Sequence, residues 1–246
     1  MSLAVVCCLH GNEKYGLKVI KKISPIIPFF IANKRAVQEN KRFIDEDLNR
    51  CFPGKSKGNH EEKIAFNLLP KLKKFDFVLD LHSSSENCPL FGIITKPDHN
   101  KLDFAKKLGL KKLVIMPDNF SKSKSLIDHL KCGISIEVGN HKRSENPKEV
   151  IKCIHSFFKK KNSNQSPELF EVINIIEKKE ENVRIDNFEK IKKGQIISSG
   201  RRDQLAEFDF TAVLVNEKAY DKILCLACRQ VNLKDRDALF QNERKI

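Results

Sequence analysis

Seven consecutive apolar residues, Leu3-Ala4-Val5-Val6-Cys7-Cys8-Leu9, run straight into His10-Gly11-Asn12-Glu13. An unbroken apolar run bounded by a turn signal fits a strand covered on both faces, as in a sheet with helices packed on either side. The chain then repeats the theme. Residues 15–23 have helical spacing at Leu17, Ile20 and Ile23, and 26–31 read as a second strand, followed by a polar loop over 33–59. Residues 60–69 read as a helix with Ile64, Ala65 and Leu68 on one side, which Pro70 should kink or end. Further strands are expected at 75–81, 91–95, 113–116 and 133–138, and helices at 101–108, 125–130 and 147–159. This alternation argues for an α/β sheet sandwiched by helices.

The pattern then changes. Asn162-Ser163-Asn164-Gln165-Ser166-Pro167 is polar and turn-rich, and reads as a linker. Beyond it lie short alternating segments at 194–199, 211–215 and 223–231, the mark of a small β-rich domain. The expected organisation is a catalytic α/β domain over 1–160 and a β-rich domain over 168–246. A hydrophobic content of 40% is enough for a sizeable core.

The net charge of +14 raises nucleic acid as a partner, but the positive residues form short scattered clusters. The longest lysine run, Lys159-Lys160-Lys161, reads as a solvated helix end. No specific nucleic-acid partner is expected, and a basic balance favours a small anionic substrate. No apolar run approaches the ~18 residues that a membrane span needs. The N-terminus carries no basic region or small-residue cleavage site. The expectation is a cytoplasmic protein without a membrane partner. The eight cysteines include one C-x-x-C, Cys225 to Cys228. On a strand these two thiols would face opposite sides, so they read as structural.

The chemistry gathers at strand ends. In open α/β sheets ligands bind at the carboxyl ends of strands. His10 and Glu13 follow the first strand, and Phe77-Val78-Leu79-Asp80-Leu81-His82 is another apolar run ending in histidine. A His-x-x-Glu pair alone is common by chance. Two strand-terminal histidines with one carboxylate, leaving a fourth position open, form a usual catalytic zinc set. His60, His99, His129, His141 and His155 have no comparable placement. A third strand contains Glu137 in Ile134-Ser135-Ile136-Glu137-Val138-Gly139. A carboxylate in an apolar strand needs a basic partner or a task, and near zinc that task is proton transfer. The polar loop holds Arg42, Asn49 and Arg50, suited to an oxyanion or a carboxylate.

Together, HGNE (10–13), NKRAV (33–37), KRFIDEDLNRCFPG (41–54), DLHSS (80–84) and IEVG (136–139) resemble, in order, the aspartoacylases and succinylglutamate desuccinylases. These are relatives of the zinc carboxypeptidases. Val215-Asn216-Glu217-Lys218-Ala219-Tyr220 resembles the aspartoacylase NEAAY segment. The resemblance implies a zinc carboxypeptidase-like α/β/α sandwich with a small C-terminal β-rich domain, and it leaves room for a homodimer. It implies one zinc per chain, held by His10, Glu13 and His82, with Glu137 as the catalytic glutamate. By the same resemblance Arg42 helps zinc polarise the acyl carbonyl, Asn49 and Arg50 grip the substrate's α-carboxylate, and Tyr220 contacts substrate and narrows the entrance. Where aspartoacylases bind a second carboxylate with tyrosine and arginine, this sequence offers Phe120 and Lys124. Lys124 should therefore give a softer preference for acidic substrates.

The implied activity is zinc-dependent hydrolysis of the amide bond of an N-acyl amino acid, with Glu137 as general base. One rival is a zinc carboxypeptidase acting on peptides, whose wide cleft Tyr220 should obstruct. Another is a catalytically silent binding protein.

Overall fold

The N-terminal apolar run forms β1 (Leu3–Cys7), buried at all five positions. In a computed structural model, residues 1–23, 27–117, 120–140, 147–159, 166–232, 235, 239 and 240 are described. After β1 come α1 (Tyr15–Ile23), β2 (Phe29–Ile31), α2 (Lys34–Glu39), α3 (His60–Leu72), β3 (Phe77–Ser84), β4 (Phe91–Ile94), α4 (His99–Leu108), β5 (Lys112–Ile115), β6 (Gly133–Asn140) and α5 (Lys148–Phe157). Single 3-10 turns lie at Leu48–Arg50 and Leu126–His129. The C-terminal part supplies β7 (Glu168–Glu177), β8 (Asn182–Val183), β9 (Lys190–Ile191), β10 (Ile196–Ser199), β11 (Asp203–Leu205), β12 (Phe210–Val213) and β13 (Ile223–Gln230).

Among the described residues, ten strands join one mixed sheet in the order β2-β1-β3-β6-β4-β5-β7-β13-β12-β9. β1, β2, β3 and β6 run parallel, while β4 turns antiparallel to β6. β7 pairs parallel with β5 and antiparallel with β13, so the C-terminal strands continue the main sheet. β8, β10 and β11 form a separate three-stranded sheet.

The two-sided burial of β1 has the cause its composition implies. Leu3, Val5 and Cys7 enter a core with Val19 of α1, Phe104 of α4 and Ile154 of α5. The alternate residues Ala4 and Val6 enter a second core with Ala65, Leu69 and Leu72 of α3. Period-two side chains thus feed two helix layers, giving the α/β/α arrangement. Phe104 packs edge-on to Phe157 at 5.5 Å, and truncating such a buried ring typically costs about 3–5 kcal/mol.

Several boundaries differ from the sequence reading. β1 stops at Cys7 because Cys8 takes a positive φ of 58° and turns the chain. β3 runs on to Ser84, which puts His82 inside the strand. α3 passes Pro70 and ends at Leu72, since Leu69 and Leu72 remain buried against the sheet and hold the last turn. The expected loop over 33–59 contains α2, whose start is capped when Ala36 N donates to the Asn33 side chain at 3.1 Å. The expected helix at 125–130 is a 3-10 turn. Ile26, His141, Lys160, Lys161 and residues 162–165 of the expected linker lie outside the described residues.

Cys225 and Cys228 do face opposite sides of β13, one in each of two cores. Burial pushes both thiols up to about 12. Among the described residues no helix is long and apolar enough to cross a membrane.

Candidate active site

Because β1, β3 and β6 are parallel, their carboxyl ends share one edge. The register pairs Cys7 with Leu81 and His82 with Glu137, so the second histidine and the glutamate stand side by side. The turn after β1 carries His10 and Glu13 over the same edge. Gly11 is required there, since a Cβ would lie 2.1 Å from the Ala36 backbone carbon. Gly11 N also donates to Arg42 O at 3.0 Å, joining this turn to the arginine-bearing loop.

Glu13 is the hub. His10 Nδ1 lies 2.6 Å from its Oε1, and His82 Nδ1 lies 3.2 Å from its Oε2, which also accepts from Ser83 N at 2.9 Å. One ligand atom from each of His10, Glu13 and His82 falls within 4.8 Å of the others, and all three residues are buried. Their outer ring nitrogens are also held. His10 Nε2 meets Asp47 Oδ1 at 3.0 Å, and His82 Nε2 meets Asp80 Oδ2 at 2.6 Å. Ser135 Oγ donates to the same Asp80 oxygen at 3.0 Å. Both ring nitrogens of each histidine thus face a carboxylate; with a cation among the three residues, Nε2–H would go on donating to Asp47 or Asp80 and Nδ1 would be the ligand atom. This pairing of imidazole with carboxylate is the usual support of a metal ligand, and two nitrogens plus one carboxylate fit zinc.

The electrostatics agree with that fit. Burial pushes the Glu13 carboxyl up, but His10 and His82 outweigh it and hold it well below the usual range. Burial pushes the His82 ring down, yet Asp80 and Glu13 reverse this and hold it well above its ordinary value. The cluster therefore favours a positive charge at its centre.

Glu137 is different. Its Oε2 is shielded from solvent and has no protein hydrogen-bond partner. Burial raises its carboxyl, His82 partly offsets this, and Glu13, Glu217 and Asp80 push it further, to about 8. A cation among the three ligands would draw that value back down.

The loop over 41–54 lies above the cluster. Arg42 Nη2 donates to Asp47 Oδ2 at 3.0 Å and Nη1 to Glu13 Oε1 at 3.3 Å. Asn49 Oδ1 accepts from Leu126 N at 2.9 Å, so its Nδ2 donors are those left for a ligand. Arg50 Nη1 donates to Asn49 O at 2.7 Å, and Nη2 to the Tyr220 hydroxyl at 2.9 Å. The Arg50 guanidinium lies 5.9 Å from the centre of the Phe120 ring, which meets Tyr220 edge-on at 5.8 Å.

These residues gather around one partly open cavity. The structure brings His10, Glu13, His82, Glu137, Arg42, Asn49, Arg50 and Tyr220 together there. Its far wall is apolar, with Ile93, Met116, Phe120, Ile127 and Leu214. Lys124, expected at a second carboxylate site, is not among the residues lining this cavity. Its side chain is exposed, and its charge bears on Glu62 instead. The reason is local: Ser121 and Ser125 face inward, and both hydroxyls donate to Asp128 Oδ2, which turns Lys124 outward. Among the described lining residues the only permanent cations are Arg42 and Arg50.

Asp47, Asp80 and Ser135 escaped the sequence reading. Asp80 had a signal, because it precedes His82 by two residues and so shares its face of the strand. Asp47 is 37 residues from His10 and had none.

A mixed α/β sheet thus carries a buried His-Glu-His cluster at its carboxyl edge, with Glu137 beside it and two arginines above it. The chain belongs to the Succinylglutamate desuccinylase/Aspartoacylase catalytic domain family, whose profile matches residues 1–151. It is 36% identical over 116 residues to a "Probable aspartoacylase" of Acaryochloris marina, covering 39% of each chain. It is 30% identical over 169 residues to the N-acyl-aromatic-L-amino acid amidohydrolase (carboxylate-forming) B of Danio rerio, covering 56% of this chain and 54% of that one. The chain thus spans from about two fifths to about half the length of these relatives. Murine aminoacylase 3, as its E177A mutant, shares the fold with a TM-score of 0.76 at 19% identity, over 94% of both chains. The succinylglutamate desuccinylase/aspartoacylase from Rhodobacter sphaeroides gives 0.74 at 14% identity, over 94% of this chain and 86% of that one.

Proposed function

We propose that this protein is a zinc-dependent amidohydrolase that releases a carboxylate and a free amino acid from an N-acyl amino acid. The observation that carries the reading is the placement of Glu137 beside His82 in a cavity whose floor is a buried three-ligand cluster. His10, Glu13 and His82 would hold the ion. When bound, zinc supplies a Lewis acid that activates water and stabilises charge on the acyl oxygen.

The chain's own groups do the rest. Glu137 takes the proton from the attacking water and returns it to the departing nitrogen. Arg42, fixed by Asp47 and Glu13, presents a charge to the developing oxyanion. Arg50 and the Nδ2 of Asn49 hold the α-carboxylate. Tyr220 accepts from Arg50, so its own hydroxyl proton is available to substrate. Residues 1–160 thus act as the catalytic part, and 168–246 contribute the wall that carries Leu214 and Tyr220.

The apolar wall refines the substrate. With Lys124 outside, no second cation awaits an acidic side chain among the described lining residues, and Ile93, Met116, Phe120 and Ile127 suit an apolar or aromatic one. The Danio rerio relative, named for N-acyl-aromatic amino acids, is in keeping with this. The Arg50–Tyr220 contact across the cavity argues against a long peptide. The test is metal analysis with a screen of N-acyl amino acids for released amine. About one zinc per chain, and faster cleavage of N-acetylphenylalanine than of N-acetylaspartate, is the expected result. A protein that stays metal-free after zinc incubation sinks the assignment.

A further inference from the structure

Glu61, in the first turn of α3, is fully buried, and four N–H groups converge on its carboxylate. Its Oε1 accepts from Ile44 N at 2.7 Å and Asn33 Nδ2 at 2.8 Å. Its Oε2 accepts from Asp45 N at 3.0 Å and Glu46 N at 3.2 Å. A carboxylate removed from water is costly unless its oxygens are satisfied, and here three consecutive loop amides satisfy them. Glu61 touches neither the cavity nor its ligands, so the reaction itself leaves it without a task.

We propose that Glu61 is the positioning residue that sets the loop carrying Arg42, Asp47, Asn49 and Arg50 in its working geometry. This rests on the hydrolase reading given above. The three amides it holds lie between Arg42 on one side and Asp47, Asn49 and Arg50 on the other. A shift at this point therefore moves the oxyanion group, the partner of His10 and the α-carboxylate pair together. Asn33 extends the anchor, because its Oδ1 caps α2 while its backbone N donates to Cys8 O at 3.0 Å. Gly11 rests on the backbone of α2, so the turn bearing His10 and Glu13 is fastened to the same frame. The buried carboxylate thereby references the substrate loop to the metal cluster.

Glutamate is specifically required. Both oxygens accept two donors, so a glutamine would turn its amide group against two N–H groups in either orientation. In the zinc-loaded Glu61→Gln protein, kcat/KM for N-acetylphenylalanine should fall by roughly 100-fold, the scale of a misplaced catalytic loop. The preference for the free acid over its α-amide should also shrink at least about tenfold, because Asn49 and Arg50 move with the loop. A purely structural role would lower the folded fraction and leave that ratio alone. Glu62→Gln, a change in the same helical turn, should keep the ratio. An unchanged ratio in Glu61→Gln at equal folded fraction overturns the proposal.

Hydrogen exchange of the wild-type protein gives an independent readout. The amides of Ile44, Asp45 and Glu46 should exchange slowly although they lie in a loop, and exchange as fast as in an open peptide overturns the anchor even if Glu61→Gln does not fold. If the wild-type protein cleaves no N-acyl amino acid, the functional reading fails while the exchange result still judges the anchor.

Discussion

The two ends of the cavity are built by different means. At the proposed metal end, side chains following β1, near the end of β3 and on one loop are locked by charge-assisted hydrogen bonds, and Glu13 alone meets His10, His82, Ser83 and Arg42. At the proposed substrate end, Ile93, Met116, Phe120 and Ile127 pack with Leu214 of the C-terminal part into one apolar wall, and Arg50 meets Tyr220 beside it. The first arrangement gives little under substitution, because each polar group removed leaves a buried partner unsatisfied. The second is a surface of shape and dispersion, where one group more or less shifts preference by modest factors. Chemistry should therefore reside at the rigid end and selectivity at the apolar one.

The comparison breaks most readily at the metal end. His82→Ala should abolish zinc retention and hydrolysis together, because two ligands remain and Asp80 keeps only Ser135 as a partner. Metal analysis after dialysis checks it. Glu137→Gln should keep the zinc of the wild-type protein yet lose roughly 100-fold or more in kcat, the scale of removing a general base. Near wild-type turnover would move the proton-transfer role to another group.

At the substrate end the effects should be smaller and selective. Arg50→Ala should lower kcat/KM for every N-acyl amino acid by the worth of a charged hydrogen bond, about 1.5–3 kcal/mol or roughly 10- to 150-fold. Amide derivatives without the α-carboxylate should lose much less. Phe120→Ala should cost aromatic substrates about 1–3 kcal/mol while sparing N-acetylalanine, and equal losses for both would remove Phe120 from the side-chain wall. Lys124→Ala sharpens the comparison by doing almost nothing. With its side chain in solvent, kcat/KM for N-acetylaspartate should change by less than about twofold, as surface substitutions usually do. A selective loss on acidic substrates would return Lys124 to the cavity.

Much of this molecule was legible in the linear chain. The two-faced apolar run at 3–9 determined a covered strand, its repetition determined an α/β sheet, and the ordered motifs from HGNE to IEVG pointed to the family whose profile matches residues 1–151. His10, Glu13, His82 and Glu137 could be picked out because polar residues ending apolar strands must converge at one sheet edge. Asp80 was equally readable, from the period of two along β3. Contacts between elements were another matter. Tyr220 meets Arg50 across 170 residues, and Glu61 holds amides 15 to 17 residues before it through a fold that no spacing rule foretells. β7 was left unread, though its pairing with β5 joins the C-terminal strands to the main sheet. The outward direction of the Lys124 side chain was unreadable for a related reason. Sequence position says that a charge lies on a turn, but the direction it points is decided by which neighbours are bonded inward. Here Ser121 and Ser125 are held by Asp128. Local pattern thus determined which elements form and which residues stand at their ends. Only the packed structure decided which buried donor met which acceptor, because that pairing depends on distances between chain segments that hydrophobic periodicity does not encode.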